Sequence, residues 1–422
     1  MNELATIKMK PGFKQTEVGL IPEDWEVESI KDIASITTGG SDTQDKVQDG
    51  KYRFFVRSST IERINKYTFD GEAILTSGDG VGVGKIFHYV NGKFDFHQRV
   101  YNIYNYRHDV NGKYLFFQFS NNFFDRVMSM TAKSSVDSVR REMIAEMPIP
   151  LPPLQEQKTI ATALSDVDAL IQSLDALIAK KKAIKQGAMQ ELLTPPHSTS
   201  SGQAQKGGKR LDGFSGEWVE KVLGKIGNTF GGLSGKSKKD FGSGNYHYIT
   251  FMNVMFNTII DTTILEKVNI KTGEQQNKAR KGDLFFNTSS ETPEEVGMCA
   301  LLNENIEDLY LNSFCFGFRI KEEFRIDGLF FSYLMNSNVG RNLFLSLAQG
   351  ATRYNLSKSN FNKLNIVIPQ TIKEQKAIAK ILSDMDLEIE SLERKKEKYE
   401  EIKQGMMQEL LTGRVRIVNV EL

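Results

Sequence analysis

Ten residues, "TSGDGVGVGK" (Thr76–Lys85), have the glycine density and closing lysine of a phosphate-binding loop. The spacing refuses that chemistry. A phosphate loop needs glycine where Asp79 stands and Ser or Thr where Ile86 stands, and the dinucleotide fingerprint fails because Val83 occupies its last glycine position. A tight strand–turn–strand with glycines at positive φ is the better reading. "EQK" occurs twice, at Glu156–Lys158 and Glu374–Lys376, as an E-x-K that a metal-dependent nuclease could use. No Pro-Asp pair precedes either copy, and both open a helix, where an early Glu offsets the dipole. An amino-methyltransferase would need proline after Asn or Asp, and no proline here follows either. Cys299, Cys315 and five scattered histidines offer no zinc spacing, and no Ser/His/Asp or Cys/His arrangement is evident. The chain reads as non-catalytic, with no metal site and no cofactor of its own.

At 422 residues the chain is too long for one ordinary core, so two or more domains are expected. No apolar run approaches the ~20 residues that span a bilayer, and the N-terminus lacks the apolar stretch of a signal peptide. Two cysteines suit a reducing compartment, so a cytoplasmic location and no membrane are expected. The net charge of +1 nominates no partner.

The organising feature is a duplication. "KQGAMQELLT" (Lys185–Thr194) returns as "KQGMMQELLT" (Lys403–Thr412), and Gln155–Thr194 lies without a gap over Lys373–Thr412 with about 23 identities in 40. Prolines stand before each copy, at Pro152-Pro153 and Pro369, as at a helix start. Apolar residues recur at spacings of four and three: Ile160, Leu164, Val167, Ile171, Leu174 and Ile178, then Ile378, Leu382, Met385, Ile389, Leu392 and Tyr399. That is a heptad seam, and two matching copies predict mutual pairing as a short coiled coil. Beyond residue 181 the register slips, with Ile184 and Ile402 off the seam.

The segments before the helices match more faintly. "GLIPEDWEVESIKDIASITTGG" (Gly19–Gly40) parallels "GFSGEWVEKVLGKIGNTFGG" (Gly213–Gly232) around the chain's two tryptophans. Their short apolar runs, punctuated by Gly and Asn, predict strands and turns with one or two helices. The expected fold is α+β: two mixed α/β domains separated by a pair of long antiparallel coiled-coil helices, related by an internal pseudo-twofold. The expected segments are a first domain over 1–147, a helix over 148–194, a flexible linker over 195–210, a second domain over 211–365, a helix over 366–413 and a tail over 414–422. A helix of that length extends ~60 Å, enough to separate the domains by more than one ~34 Å turn of DNA.

"KQTEVGLIPEDWEV", "MPIPLPPLQEQKTIA" and "GATRYNLSKSNFNKLNIVIP" together resemble the specificity (S) subunits of type I restriction–modification systems. The resemblance covers nearly the whole chain, departing where "VIPQTIKEQK" lacks the double proline and the Leu of the first copy. It implies a bacterial or archaeal phage-defence protein with two target-recognition domains, each reading half of a bipartite asymmetric site in double-stranded DNA. The helical pair would set the unread spacer. It also implies that two modification (methyltransferase) subunits bind the repeated helices and that restriction subunits join them. S-adenosylmethionine, ATP and Mg would serve those partners. Lys185, Gln186, Gln190 and Glu191, repeated as Lys403, Gln404, Gln408 and Glu409, are the expected partner-binding positions. Two other functions are compatible with the residues alone: a coiled-coil scaffold without DNA recognition, and a nucleotide-binding enzyme using the glycine-rich loop.

Base readout needs side chains with paired donors or acceptors on exposed loops, and basic groups for phosphates. Four loops qualify by matched position. Arg57, Ser58 and Ser59 pair with Thr250 and Asn253; Ser77 and Asp79 with Thr288 and Ser289; His97 and Gln98 with Asn312 and Ser313. The fourth pairs Ser135, Asp137 and Arg140 with Arg353, Tyr354, Asn355 and Lys358. Lys236 and Lys238 would supply phosphate contacts.

Overall fold

The computed structural model describes residues 11–80, 82–130, 138–196, 208–347 and 354–417. Four helices organise it: α1 (Gly112–Ser129), α2 (Leu154–Leu192), α3 (Gly328–Asn336) and α4 (Ile372–Leu410). The chain divides into two compact units, Met1–Asp175 with Arg394–Leu422, and Ala176–Glu393, so each long helix gives one half to each unit.

In the first unit an antiparallel sheet runs in the order Ser35–Thr38, Val100–Tyr104, Ala73–Ser77, Phe87–Val90. The strand Ala73–Ser77 is buried along its length, which its apolar run anticipates. A second sheet orders Ile61–Ile64, Tyr52–Phe55, Lys93–Phe96 and Phe69–Asp70, its middle two strands parallel. Helix α1 starts where the Asn111 side chain accepts from the Tyr114 N–H. It buries Tyr114, Leu115, Phe117, Phe119 and Phe123 in a core that also takes Trp25 from the segment preceding the main sheet and Ile160 and Leu164 near the start of α2. Met407 and Leu410 from the end of α4, and Leu411 just beyond it, complete that core.

The second unit repeats this plan. Its antiparallel sheet orders Gly227–Gly231, Cys315–Ile320, Leu284–Asn287 and Cys299–Leu301, and its smaller sheet again pairs two strands in parallel, Phe241–Ile249 with Leu309–Leu311. Asp327 caps α3. The core gathers Phe330, Phe331 and Leu334 of α3, Ile378 and Leu382 from the start of α4, and Met189 and Leu193 from the end of α2.

The repeated decapeptide thus has a structural cause. Met189 and Leu193 fill the second unit's core as Met407 and Leu411 fill the first unit's. Within each unit the helical halves run antiparallel. Lys403 pairs with Asp168 at 2.6 Å and Lys396 with Asp175 at 2.7 Å in the first; Lys181 pairs with Glu388 at 2.6 Å, and Lys185 with Asp386, in the second. Seam residues Leu174, Ile178 and Ile389 are buried, whereas Ile184 and Ile402 are 47% and 39% exposed.

The E-Q of each helix start is buried, which dipole compensation alone does not require. The Gln157 Oε1 accepts from the Asn111 N–H at 2.8 Å, while its Nε2 donates to the carbonyls of Pro152 and Asp109. The Gln375 Oε1 likewise accepts from the Asp327 N–H at 2.8 Å, and its Nε2 donates to the Pro369 carbonyl. One amide therefore clips the N-cap of each domain helix to the start of the long helix that follows. The second start keeps this clip despite lacking the double proline. Glu156 accepts from the Trp25 indole and from Arg416; Glu374 accepts from Arg210 at 2.7 Å.

Gln157→Ala and Gln375→Ala each strand a buried backbone donor, so urea denaturation should show each losing about 1–3 kcal/mol. Met407→Ala should cost about 2–5 kcal/mol through the cavity it leaves; an unchanged transition midpoint would contradict its place in the core.

Candidate nucleic-acid interface

All four loops of the first unit meet at one end of its main sheet. The Gly78 N–H donates to the Arg99 carbonyl at 2.7 Å, and the Gly78 carbonyl accepts from Val139 at 2.7 Å, beside an Asp79–Ser138 bridge. This joins the second loop to the third and fourth. The first loop closes the cluster, because the Arg57 Nη1 lies 3.2 Å from the Asp79 Oδ1 and the Phe55 carbonyl accepts from the His97 N–H at 2.9 Å.

The second unit makes the equivalent bonds. The Thr288 N–H donates to the Phe314 carbonyl at 2.9 Å, and the Thr288 carbonyl accepts from Leu356 at 2.8 Å. Ser289 and Ser290 pair with Asn355 and Tyr354 in a short ladder. The Ile249 carbonyl accepts from the Asn312 N–H at 3.0 Å. Each unit therefore presents a cluster of four loops held mostly by backbone bonds.

Arg57, Ser58, Ser59, Gln98, Arg140, Lys238, Asn355 and Lys358 are exposed, with Asp79, Thr288 and Tyr354 half-exposed beside them. Ser135, Asp137 and Arg353 lie outside the described residues. Several expected readers are buried or bonded to neighbouring backbone. Asn253 is fully buried, bonded through its side chain to both backbone groups of Asp261, and the Thr250 hydroxyl caps a short helix over Phe251–Phe256. Ser77 is buried, its hydroxyl donating to the Asp79 carbonyl at 2.8 Å, and Ser289 is buried too. The Lys236 side chain is 4% exposed and its ammonium is paired with Glu274, whose carboxyl it holds down to about 2.

His97 and Asn312 also bond neighbouring backbone, His97 from a buried position and Asn312 from a half-buried one. The His97 Nδ1 accepts from the Arg99 N–H at 2.9 Å, and the Asn312 Oδ1 accepts from the Phe314 N–H at 2.8 Å. Burial, with the Arg57 charge adding to it, holds His97 below the usual imidazole range and keeps the ring neutral near pH 7. The residues these bonds hold outward, Arg99 and Phe314, escape the matched-loop reading. Only the two-residue offset from His97 and Asn312 hints at them.

The glycine-rich stretch presents no phosphate cradle among the described residues. The N–H groups of Val83, Lys85 and Ile86 are consumed by the carbonyls of Gly80 and Gly82, and Gly80 and Gly84 hold φ of 85° and 68°. No three His, Cys, Asp or Glu side chains converge as metal ligands among the described residues. No helix among them is long and apolar enough to cross a membrane.

Of the repeated helix positions, Lys185 and Lys403 are engaged internally, pairing with Asp386 and Asp168 beside the rings of Tyr333 and Phe117. Glu409 is half-buried near Arg414. Gln186, Gln190, Glu191, Gln404 and Gln408 are exposed, together with the equivalent pair Ile184 and Ile402.

Comparison with known proteins identifies the family. The profile of the type I restriction modification DNA specificity domain matches residues 22–184 and again 215–404. The type I restriction enzyme MjaVIII specificity subunit of Methanocaldococcus jannaschii is 26% identical over 437 residues, 97% of each chain. The EcoDI specificity subunit of Escherichia coli is 27% identical over 176 residues, 42% of this chain and 38% of that one. The crystal structure of a type I restriction–modification S subunit from M. genitalium superposes with a TM-score of 0.59 at 15% identity, covering 95% of this chain and 99% of that one. With both halves matched, the chain belongs to the type I restriction–modification DNA specificity family, as a non-catalytic specificity subunit.

Proposed function

We propose that the protein selects a bipartite, asymmetric site in double-stranded DNA for a type I restriction–modification complex. Each unit reads one half of the site. The observation that carries this is the doubled loop cluster: two frameworks with equivalent bonds present unlike side chains, as two readers of unlike sequences would. The antiparallel helical halves within each unit support a spacer set by the long helices.

Two modification subunits dock on the repeated helix ends. Ile184 with Gln186, Gln190 and Glu191, and Ile402 with Gln404 and Gln408, are repeated and exposed, although self-packing would not hold exposed side chains alike. Restriction subunits join the assembled complex. S-adenosylmethionine, ATP and Mg are used by those partners, in the cytoplasm of the host.

Long-read methylation mapping of a host carrying the chain with its modification subunit should return a two-part asymmetric motif. Four residues inserted into α2 should change the spacer and leave both half-sites intact; an unchanged spacer contradicts the ruler role. Equal binding of cognate and scrambled duplexes across a salt series would favour a scaffold instead. Ile184→Asp and Ile402→Asp should each shift stability by no more than ~0.5 kcal/mol yet weaken binding of the modification subunit at least ~10-fold, as burying a charge in an apolar contact does. Calorimetric titration checks this.

A further inference from the structure

Arg99 and Phe314 occupy the same position in the two units. Each follows by two residues a side chain that accepts its N–H, His97 Nδ1 at 2.9 Å and Asn312 Oδ1 at 2.8 Å. Each carbonyl accepts from the equivalent second-loop N–H, of Gly78 at 2.7 Å or Thr288 at 2.9 Å. The next residue closes both turns in the same way, Val100 to the His97 carbonyl at 2.8 Å and Cys315 to the Asn312 carbonyl at 3.1 Å. The backbone is thus fixed on three sides while the side chain projects. The Arg99 side chain is 67% exposed and Phe314 is 57% exposed.

A phenyl ring held out by a turn that spends an Asn and a Thr on its backbone contributes nothing to the second unit's core. The Thr288 hydroxyl donates to the Phe314 carbonyl at 2.8 Å, adding a further tie. In the first unit Asp79 stands between two guanidinium groups, 3.2 Å from Arg57 and 3.9 Å from the Arg99 Nε. An anchor on the Nε side leaves the Nη1–Nη2 edge for a paired acceptor. In the major groove, guanine offers that pair at O6 and N7, whereas an apolar ring finds the thymine methyl.

We propose that Arg99 and Phe314 are the specificity-determining side chains at equivalent points of the two half-sites. Arg99, aligned by Asp79, requires a guanine, and Phe314 requires a thymine through its 5-methyl group. This rests on the half-site reading above, and the test separates the two.

The complex with its modification subunit is mapped by long-read methylation sequencing as wild type, Arg99→Ala, Arg99→Lys, Phe314→Ala and Phe314→Leu. Arg99→Ala should relax a guanine in one half only, with discrimination at that position falling roughly 10- to 100-fold and the other half unchanged. Arg99→Lys should keep part of the preference. Phe314→Ala should relax a thymine in the opposite half, and Phe314→Leu should retain it. Replacing that thymine by uracil in a synthetic duplex should weaken wild-type binding roughly fourfold, the value of one methyl group, and leave Phe314→Ala unaffected. Unchanged motifs in both alanine variants overturn the proposal. So does an equal loss on cognate and scrambled duplexes, which marks Arg99 as a phosphate contact. A wild-type complex that methylates no two-part motif overturns the half-site reading and this inference together.

Discussion

A primary amide buried at the head of each long helix decides where that helix can run. Gln157 and Gln375 each bond the N-cap backbone of the preceding domain helix and the proline carbonyl at their own helix start. Rotating either long helix away would strand these groups in a dry site, at a cost of about 1–3 kcal/mol per group. The carboxylates beside them add a second tether, Glu156 to Arg416 and Glu374 to Arg210. Those arginines come from the segments that follow the other long helix, so within each unit one tether holds both the start of one helix and the exit from the other. The far ends are held differently, by Met189 and Leu193 or Met407 and Leu411 in apolar cores. Directional bonds fix the angle at one end, and non-directional burial holds the other.

That division explains why one decapeptide carries two unlike duties. One face of "KQG-MQELLT" must fill a core and place a lysine against an aspartate. The opposite face, with its glutamines and the neighbouring isoleucine, is exposed in both copies. Packing accounts for the first face alone. Packing does not require the second to repeat, and on the proposed reading a partner of the same kind at each copy supplies the cause.

Period and duplication are local signals, so the helices, their seam and the two-part plan were legible in the residues. The partners of Glu156 and Glu374 were not, because Arg416 and Arg210 lie 260 and 164 positions away and only the fold brings them near. The internal partner of Lys185 is hidden for the same reason: a repeated cation on a helix looks free until Asp386, 201 positions away, appears beside it. At the tips, the residues indicate which loops lie together more readily than which side chains are presented. His97, Asn312, Asn253 and Ser77 have the side chains of base readers, but short polar side chains also bond neighbouring backbone. Residue type does not distinguish the two uses; burial does.

The same distinction shows how the two heads can differ while the frame stays constant. Apart from the ion pairs that Asp79 makes with Arg57 and Arg99, the bonds that gather the loops run between backbone groups or from a short side chain to backbone. Among the described residues, none of these hydrogen bonds passes through the tip of Arg99 or Phe314. A change at those positions alters what is presented without loosening the turn. A change at His97 or Asn312 removes the acceptor that holds the following N–H, so it would disturb the tip before it altered any preference. On the proposed reading, a new preference is reached through the presented residue, whereas the acceptor two positions earlier is constrained by the fold.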